Sequence, residues 1–513
     1  MVCKNKGLLN NVGSSNIDGG EMNPDNKLTA PKSSSNWTDR KWAMFDDVEQ
    51  NAVNRDRWIQ KNSYYHQHDI NFLNFLIAKN ATVLDVGCGN GWLLSKLDAA
   101  KKTGVDFSPA MIDCAQKICP DANFILADIE SRSMLKAIKA QGPFDYIILS
   151  DTLAYLDDIE VTLANIKSLC SPSTRIIMST YNQLWEPFLK LGEMIGLKQL
   201  MRFDLNWISH DDLKSFCTLT ELEILTKEQH QLVPFRLFGL GHLLNKWLAP
   251  LPLIRSLCLR KYVVARPVPP RRATKPTVSV IVPVRNEAGN IEAALTRLSK
   301  FPAAMELIYV EGNSSDNSWE EIQRMQRDYP DVDITALKQP GKGKGDAVHH
   351  AFQQAKGDIL MILDGDLTVP PEDMIKFYNV LASGVGEFVN GTRLVYGMEK
   401  NAMRFLNYHA NRTFALIFSY LLNQQFTDTL CGTKVMFRSD YEKILANKSF
   451  FGDFDPFGDF DFIFGAVKLH LKVVEVPVRY RARTYGSTQI SRFRHGFMLL
   501  KMVIFAFKKL KAI

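Results

Sequence analysis

The sequence has few features of an exported or membrane-spanning protein. Its 8 cysteines are scattered over 513 residues without a CxxC pair or a metal-ligand spacing, so we expect no disulfide framework. No run reaches the roughly 18 apolar residues that cross a bilayer, and the chain begins without the apolar core of a signal peptide. The net charge of +7 is modest and does not indicate nucleic-acid binding. These absences lead us to expect a cytoplasmic protein.

The length of the chain is too great for a single hydrophobic core and suits two domains. Residues 1–35 are rich in Asn, Ser, Gly and Lys, and we predict that they form a disordered tail. Residues 267–276 belong to a run rich in proline and cations, which cannot form a helix or a central strand. We therefore predict one domain over residues 36–266, a linker over 267–276, and a second domain over 277–513.

Both predicted domains alternate β-branched strands with helical patterns, which is typical of a parallel α/β sheet. In the first domain the strands are ATVLDVG, TGVDF, NFILADI, FDYIILS and RIIMST, with LEILTKEQ and KYVVARP as an antiparallel edge pair. In the second domain they are TVSVIVPV, ELIYVEG, VDITAL, DILMILDGD and EFVNGTR. After Arg393 the pattern changes to apolar helices and one more strand, KVVEVPVRY.

A glycine-rich loop follows the first strand of the first domain. That strand runs directly into Gly87, and Gly89 and Gly91 follow at every second position before a helix. Glycines allow the backbone to approach a ligand closely and to turn into a helix N-terminus. Asp85 precedes the loop, and Asp106 ends the next strand, where a carboxylate can accept both ribose hydroxyls. The spacing is DxGxGxG rather than GxGxxG, and nearby carboxylates favour a sulfonium amino acid over a diphosphate.

The motifs DVGCGNG, GVDFSPAMI and ADIE together resemble the class I methyltransferases over about residues 45–266. The resemblance implies that S-adenosyl-L-methionine is the cofactor, with its amino-acid part at the glycine loop and its ribose at Asp106. Asp128 and Ile129 would frame the adenine, and Ser150 and Asp151 would face the methyl group. Residues that could form the wall of the acceptor site follow the fifth strand: Tyr181, Trp185, Trp207 and His210. A dinucleotide site or a purely structural sheet is the alternative.

Two carboxylates end the fourth strand of the second domain. Asp364 and Asp366 are separated by one glycine, so they can share a hard divalent cation such as Mg²⁺ or Mn²⁺. The first two strands of this domain end in PVRNE and EGNSSD, and a glycine–lysine loop, GKGKGD, leads into a helix. Such a loop brings backbone N–H groups and the ammonium of Lys344 towards a diphosphate. All four elements lie at carboxyl ends of strands, where open α/β sheets bind ligands.

This set of motifs resembles glycosyltransferase family 2, and over residues 277–513 it is most similar to the polyprenol-phosphate (dolichol-phosphate-type) sugar transferases. The resemblance implies a GT-A type fold, a nucleotide-sugar donor, and a divalent metal held by Asp364 and Asp366. The residues that it assigns to the donor are Pro283, Asn286, Glu287, Glu311, Asp316, Lys344, Asp364, Arg393 and Arg483. VEGNSSDNS stands where many members have VDDGSTDGT, so Glu311 and Gly312 leave the choice between UDP, GDP and other carriers open.

The aromatic segment FDPFGDFDFIF carries the candidate catalytic acids. Asp461 occupies the late acidic position of the family, and Asp459 lies on the same face if the segment is extended. A hydroxyl acceptor requires a general base, whereas a lipid phosphate is largely anionic at neutral pH because its second pKa is about 6. Asp461 is therefore either the base or a residue that orients the acceptor or the metal. The following run resembles a phosphate-facing loop through Arg481, Arg483 and Gln489.

Two late segments, TFALIFSYLL and FMLLKMVIFAFKKLKAI, are unusually apolar. On a helix, Arg494, Lys501 and Lys508 would form one narrow polar stripe at seven-residue steps. Such a helix is either deeply packed or laid in a lipid interface with its cations towards the headgroups. We expect peripheral association with the cytoplasmic face of a membrane.

The motifs together predict two tandem α/β domains: a Rossmann-like class I methyltransferase sheet, then a GT-A type transferase domain with C-terminal apolar helices. We expect a bifunctional enzyme that uses S-adenosyl-L-methionine and, with a divalent metal, moves a sugar from a nucleotide donor to a polyprenyl-phosphate-type lipid. In the alternative, the sugar acceptor is a hydroxyl of a surface polysaccharide, and the N-terminal half is a cofactor-binding regulatory module.

Overall fold

The computed structural model describes residues 37–511 except 200, 202, 271–273, 299, 397–404, 448–457, 459, 484 and 486–491. The strands are β1 Thr82–Val86, β2 Lys101–Asp106, β3 Asn123–Leu126, β4 Tyr146–Ser150, β5 Arg175–Tyr181, β6 Leu222–His230, β7 Arg260–Pro267, β8 Val278–Val284, β9 Met305–Glu311, β10 Asp333–Lys338, β11 Ile359–Ile362, β12 Phe388–Thr392, β13 Lys434–Phe437 and β14 Val473–Pro477. The helices are α1 Asp39–Asn51, α2 Arg55–Lys61, α3 Ser63–Leu76, α4 Trp92–Lys96, α5 Pro109–Ile118, α6 Leu135–Lys139, α7 Ile159–Leu169, α8 Glu186–Met194, α9 His210–Leu219, α10 Leu240–Leu243, α11 Ile291–Thr296, α12 Ser318–Asp328, α13 Lys344–Gln354, α14 Met374–Ala382, α15 Phe405–Leu422, α16 Arg438–Ala446, α17 Phe460–Lys468 and α18 Arg492–Leu510.

The first seven strands form one sheet in the order β3-β2-β1-β4-β5-β7-β6. Strands β1 to β5 are parallel, and β7 runs antiparallel to both of its neighbours, so β6 and β7 form the predicted antiparallel pair. Successive residues of β1 face opposite sides: Val83 packs with α3, α4 and α5, whereas Leu84 packs with α6, α7 and α9. The predicted α/β fold is therefore confirmed for this part of the chain.

The remaining seven strands form a second sheet in the order β10-β9-β8-β11-β13-β12-β14. All of its strands run in one direction except β13, which is antiparallel to β11 and β12. The sequence pattern predicts one strand after Arg393, but the structure has two, since β13 precedes the predicted strand β14. β13 is only four residues long and fully buried, so its sequence KVMF shows no polar alternation that would mark it.

The two sheets meet at the amino ends of their strands. Arg175 begins β5, and its guanidinium makes two 2.8 Å hydrogen bonds to the carboxylate of Glu387, which directly precedes β12. Arg266, near the end of antiparallel β7, lies 3.2 Å from the same carboxylate, and the backbone N–H of Lys472 donates to it at 2.8 Å. Arg175 and Arg266 are almost fully buried. These contacts therefore lie at the amino ends of the strands, away from the carboxyl ends of the same strands.

The long helices α15 and α18 pack against each other and against the first part of the chain. The Tyr420 hydroxyl donates to the Pro250 carbonyl oxygen, and the rings of Phe507 and Trp247 stack with centroids 6.0 Å apart. The ammonium of Lys511 lies 3.5 Å from Glu228 in β6. Within the described ranges, no helix has both the length and the hydrophobicity that crossing a membrane requires.

Candidate active sites

A cavity of about 520 Å³ opens at the carboxyl ends of β1, β2 and β4. Most of the residues predicted to bind the cofactor line this cavity: Asp85, Gly87, Gly89, Asp106, Asp128, Ile129 and Ser150. Asp151 and two of the predicted acceptor-wall residues, Tyr181 and Trp185, also line it. Gly91 instead is the last residue of the loop and caps the N-terminus of α4 with φ of 73°; it lies against Ala115. The structure thus brings together nearly the whole predicted set.

The glycine loop is fixed by its neighbours before any ligand binds. Gly87 has φ of +74°, and a Cβ there would lie 2.7 Å from a side-chain carbon of Thr152. One carboxylate oxygen of Asp106 accepts a hydrogen bond from the Gly89 N–H at 2.8 Å, and the other accepts from the Ser108 N–H at 3.0 Å. The loop after β1 and the end of β2 therefore form one preorganised wall.

Two buried acids give this cavity its electrostatic character. Burial, reinforced by the charges of Asp106 and Asp69, raises the pKa of Asp85 to about 8. Burial also raises the pKa of Asp106 to about 6. A buried carboxyl with a raised pKa is stabilised when a positive charge approaches it. The site accordingly fits a cationic ligand, because the approach of a positive charge favours the ionised forms of these acids.

The N-terminal helices complete the cavity, which the motifs of the sequence do not predict. The buried ammonium of Lys41 in α1 lies 2.7 Å from the carboxylate of Asp128, and the Trp37 indole N–H donates to the same oxygen at 2.8 Å. Arg55, Trp58, Tyr65 and His66 of α2 and α3 also line the cavity. The available signal was a run of aromatic and polar residues in helices that precede the first strand.

The acceptor side of the cavity is built around a buried ion-pair cluster. The guanidinium of Arg260 in β7 lies 2.8 Å from Asp151 and 3.0 Å from Asp69. The Tyr65 hydroxyl lies 3.3 Å from both Asp151 and the Tyr181 hydroxyl. Burial raises the pKa of both phenols, so they remain protonated at neutral pH. The other acceptor-wall candidates lie elsewhere, since Trp207 and His210 do not line the cavity.

In the second sheet, the two aspartates of the DxD motif follow β11 and face cations. The Lys344 ammonium lies 2.7 Å from Asp364, and one guanidinium nitrogen of Arg483 lies 2.6 Å from Asp366. Burial acts to raise the pKa of Asp364, but the Lys344 charge outweighs it and lowers that pKa. Arg483 also reaches Glu287 at 3.7 Å. Residues of the glycine–lysine loop, the DxD motif, the PVRNE loop after β8 and the late arginine run therefore lie close together at this edge of the sheet.

The loops after β8 and β9 are tied to each other. The side-chain oxygen of Asn286 accepts a hydrogen bond from the Ser315 N–H at 2.7 Å, and Asp316 accepts one from the Ala288 N–H at 3.2 Å. The Ser314 N–H donates to Glu311. Pro283 lies beside the DxD loop, because a Cβ on the intervening Gly365 would meet its carbonyl oxygen at 2.7 Å. Each of these predicted donor residues lies at the carboxyl edge of the sheet.

Arg393 lies in this region, but its guanidinium is held by the buried carboxylate of Asp428, with contacts of 2.6 and 2.9 Å. The loop that contains Asp428 also approaches the DxD motif, because a Cβ on Gly432 would overlap both Asp364 and Lys344. None of the motifs recognised in the sequence includes this loop. The sequence feature that could have indicated this loop is an acid and a glycine shortly before β13, but β13 itself is not predicted from the sequence.

The predicted catalytic acids are only partly described. Asp459, Gln489 and most of the late phosphate-facing loop lie outside the described residues. Asp461 is in the first turn of α17, so it lies on a helix rather than on an extended segment. Gly458, three residues earlier, packs against Gly345 at the start of α13, beside Lys344. The role of Asp461 as a base or an orienting residue stays a prediction.

The DxD carboxylates supply the kind of ligand that a hard divalent cation prefers. Mg²⁺ and Mn²⁺ commonly take one or two carboxylates and complete their coordination with water and substrate phosphates. Asp364 and Asp366 fit this use, because their oxygens already face cations at the edge of the sheet. Across the described portion of the chain, no group of three or more His, Cys, Asp or Glu side chains is arranged to hold a metal alone.

Family models match each half of the chain. The model "Methyltransferase domain" matches residues 56–227, and the model "Glycosyl transferase family 2" matches residues 279–445. The first match contains the glycine loop and its aspartates, and the second contains the DxD motif and its neighbouring loops. The chain therefore carries a methyltransferase domain followed by a family 2 glycosyltransferase domain.

Curated relatives match the second domain. The chain is 34% identical over 122 residues to a dolichol-phosphate mannosyltransferase from Pyrococcus furiosus, covering 23% of this chain and 34% of that protein. It is also 34% identical over 137 residues to an undecaprenyl-phosphate 4-deoxy-4-formamido-L-arabinose transferase from Yersinia pestis, covering 25% and 42%. The chain thus spans well under half the length of these relatives.

Solved structures resemble both halves. A SAM-dependent methyltransferase from Thermotoga maritima is 15% identical with a TM-score of 0.33, covering 44% of this chain and 99% of that one. A mannosyltransferase from Pyrobaculum calidifontis in complex with GDP-Man and Mn²⁺ is 20% identical with a TM-score of 0.33, covering 47% and 66%.

Proposed function

We propose that the chain is a bifunctional transferase. Its first domain transfers a methyl group from S-adenosyl-L-methionine, and its second transfers a sugar from a nucleotide donor to a polyprenyl-phosphate-type lipid with the help of Mg²⁺ or Mn²⁺. The observation that carries the first activity is the cavity whose buried acids, Asp85 and Asp106, suit a cationic nucleoside. The convergence of Lys344, Asp364 and Arg483 at one edge of the second sheet carries the second.

In the first site, S-adenosyl-L-methionine would supply the methyl group as an activated sulfonium. The chain's own task is then mainly positioning, because holding two reactants in line removes much of the barrier to a displacement. The loop of Gly87 and Gly89 would hold the amino-acid part, and Asp106 the ribose. Asp128, fixed by Lys41, would help to frame the adenine. Tyr65 and Tyr181 stay protonated and can donate hydrogen bonds to an acceptor.

In the second site, the diphosphate of the donor would meet the Lys344 ammonium and the backbone N–H groups that begin α13. Asp364 and Asp366 would hold the divalent cation, which neutralises the leaving diphosphate. Arg483 contacts Asp366 and Glu287, and its guanidinium would be available to a donor phosphate if the divalent cation neutralised Asp366. An anionic lipid phosphate as acceptor would need no general base.

We propose that the protein works at a membrane surface on the cytoplasmic side, because a polyprenyl phosphate resides in a bilayer. The curated relatives bear names that include dolichol phosphate and undecaprenyl phosphate. This supports a lipid phosphate over a polysaccharide hydroxyl as the sugar acceptor.

The test for sugar transfer is incubation with a panel of nucleotide sugars and a polyprenyl phosphate, followed by mass spectrometry of the lipid extract. We expect a glycosylated lipid phosphate that requires a divalent metal, and we expect Asp366→Ala to abolish it because one of the two metal carboxylates is lost. The control is S-adenosyl-L-methionine binding, which Asp366→Ala should leave unchanged. Full sugar transfer by this variant would refute the metal assignment.

A further inference from the structure

Exposed apolar side chains are concentrated in two segments that each contribute residues to the lining of the methyltransferase cavity. Residues 184–197 expose six large apolar side chains, and residues 235–257 expose nine. We call these fifteen residues the apolar collar: Leu184, Phe188, Leu191, Met194, Ile195, Leu197, Phe235, Leu237, Phe238, Leu240, Leu243, Trp247, Leu251, Leu253 and Leu257. Large contiguous apolar patches on a protein surface mark sites of interaction with proteins or membranes.

The apolar collar is continuous with the cavity. Five of its members both lie exposed and line the cavity wall: Phe188, Leu191, Ile195, Leu197 and Phe235. A hydrogen bond joins the two segments of the collar: the Trp185 indole N–H donates to the Leu257 carbonyl oxygen at 2.8 Å. A substrate that enters the cavity from this side therefore crosses an apolar rim rather than a polar one.

The charge of the apolar collar is positive. Residues 231–259 contain no aspartate or glutamate, but they include Arg236, Lys246 and Arg255. In the other half, the two acids are neutralised within the segment, since Glu186 pairs with Lys190 and Glu193 with Lys198. Apolar side chains interleaved with cations complement the acyl chains and anionic headgroups of a bilayer surface.

The apolar surface continues onto α18. The rings of Trp247 and Phe507 stack, and Phe497, Leu500 and Ile504 lie ten, seven and three residues before Phe507, on the same helical face. These three side chains are about half exposed or more. One apolar surface therefore runs from the methyltransferase cavity to the helix that follows the sugar-transfer site.

We propose that the apolar collar docks onto a bilayer with anionic headgroups and that the methyl acceptor is a lipid-linked molecule, which reaches the cavity from the membrane. The occupant is a lipid surface because the rim is both apolar and basic, and because it opens into the cavity that holds the transferable methyl group. The proposal rests on the methyltransferase activity proposed above, and it names the substrate class of that site.

The test measures vesicle binding and the fate of the methyl group in the full-length chain. Phe238→Ser combined with Leu253→Ser removes two highly exposed collar side chains, which have 111% and 86% relative exposure. We expect this variant to bind vesicles of phosphatidylcholine with phosphatidylglycerol about ten-fold or more weakly, because it removes two apolar side chains that would be buried in the bilayer. Leu219→Ser, at an exposed residue outside the collar, is the matched control and should bind normally.

With S-adenosyl-L-methionine labelled in its methyl group and membranes as the acceptor source, we expect the label in the organic-solvent extract, and the collar variant should lose it. Label in a water-soluble or protein fraction, or equal vesicle binding by both variants, would overturn the proposal. So would self-association through the collar in place of vesicle binding. Cofactor binding separates the two hypotheses: if the unaltered chain fails to bind S-adenosyl-L-methionine, the methyltransferase function itself is wrong.

Discussion

Replacing Glu387 by glutamine should weaken the contact between the two domains and lower the stability of the protein. The carboxylate of Glu387 receives two hydrogen bonds from Arg175, lies 3.2 Å from Arg266, and accepts the Lys472 N–H. The side chains of the two arginines are only 4% and 2% exposed, so their charges have little water to compensate the loss. Breaking a buried pair by removing one partner costs about 3–5 kcal/mol. After the substitution Arg266 still contacts Glu223, and Arg175 still donates to the His470 carbonyl oxygen. We therefore expect the free energy of unfolding to fall by about 3 kcal/mol, the lower end of this range.

The assay is urea unfolding of the full-length chain at pH 7, with Glu320→Gln at an exposed position as the control. Burial alone would raise the pKa of Glu387, but the guanidinium groups of Arg175 and Arg266 outweigh it and lower the pKa. The stabilisation is therefore present above the ordinary value of 4.5 and is lost as the pH falls through the lowered folded-state pKa. A loss below about 1 kcal/mol, as for an exposed pair, would refute the reasoning.

Two further perturbations test the two sites. Affinity for S-adenosyl-L-methionine should rise between about pH 5 and pH 8, because a cation favours the ionised forms of Asp85 and Asp106. The pKa values of these acids are raised to about 8 and about 6, respectively. Calorimetry in buffers of different ionisation enthalpy should therefore detect the release of protons on binding. Asp85→Asn should flatten this dependence, whereas Asp113→Asn on the exposed face of α5 should not, and a flat profile in the unaltered chain would contradict the assignment. Gly432→Ala should reduce sugar transfer by about 100-fold or more, since an added methyl group displaces Asp364 and Lys344; unchanged transfer would show that this loop is not part of the site.

The parts of the fold that the sequence predicts are those with a strong local signal. Strands such as β1 and β8 are β-branched runs that end in glycine or polar loops, and parallel strands place such loops at one edge. For that reason Asp85, Asp106 and Asp364 could be assigned to ligand-facing edges without a structure. The order of strands beyond this pattern depends on packing between distant segments, and the short buried strand β13 carried no periodic signal.

The partners of the site residues were beyond the sequence for a different reason. Lys41 meets Asp128 across 87 residues of chain, and Arg393 meets Asp428 across 35. Such pairs form only because helices and loops from separate parts of the fold close over the sheet edge. A sequence shows which groups are charged, but the choice of partner depends on tertiary distances that no local pattern encodes.

The join at the amino ends of the strands has a consequence for how such a protein can diversify. The loops that we propose to select substrates lie at the carboxyl ends, whereas Arg175, Glu387 and Arg266 hold the halves together at the amino ends. Loops that recognise a sugar donor or a methyl acceptor can thus lengthen, shorten or change residue without reaching the contacts that hold the halves together. A constant pairing surface with two independently variable rims would allow one scaffold to serve several substrates.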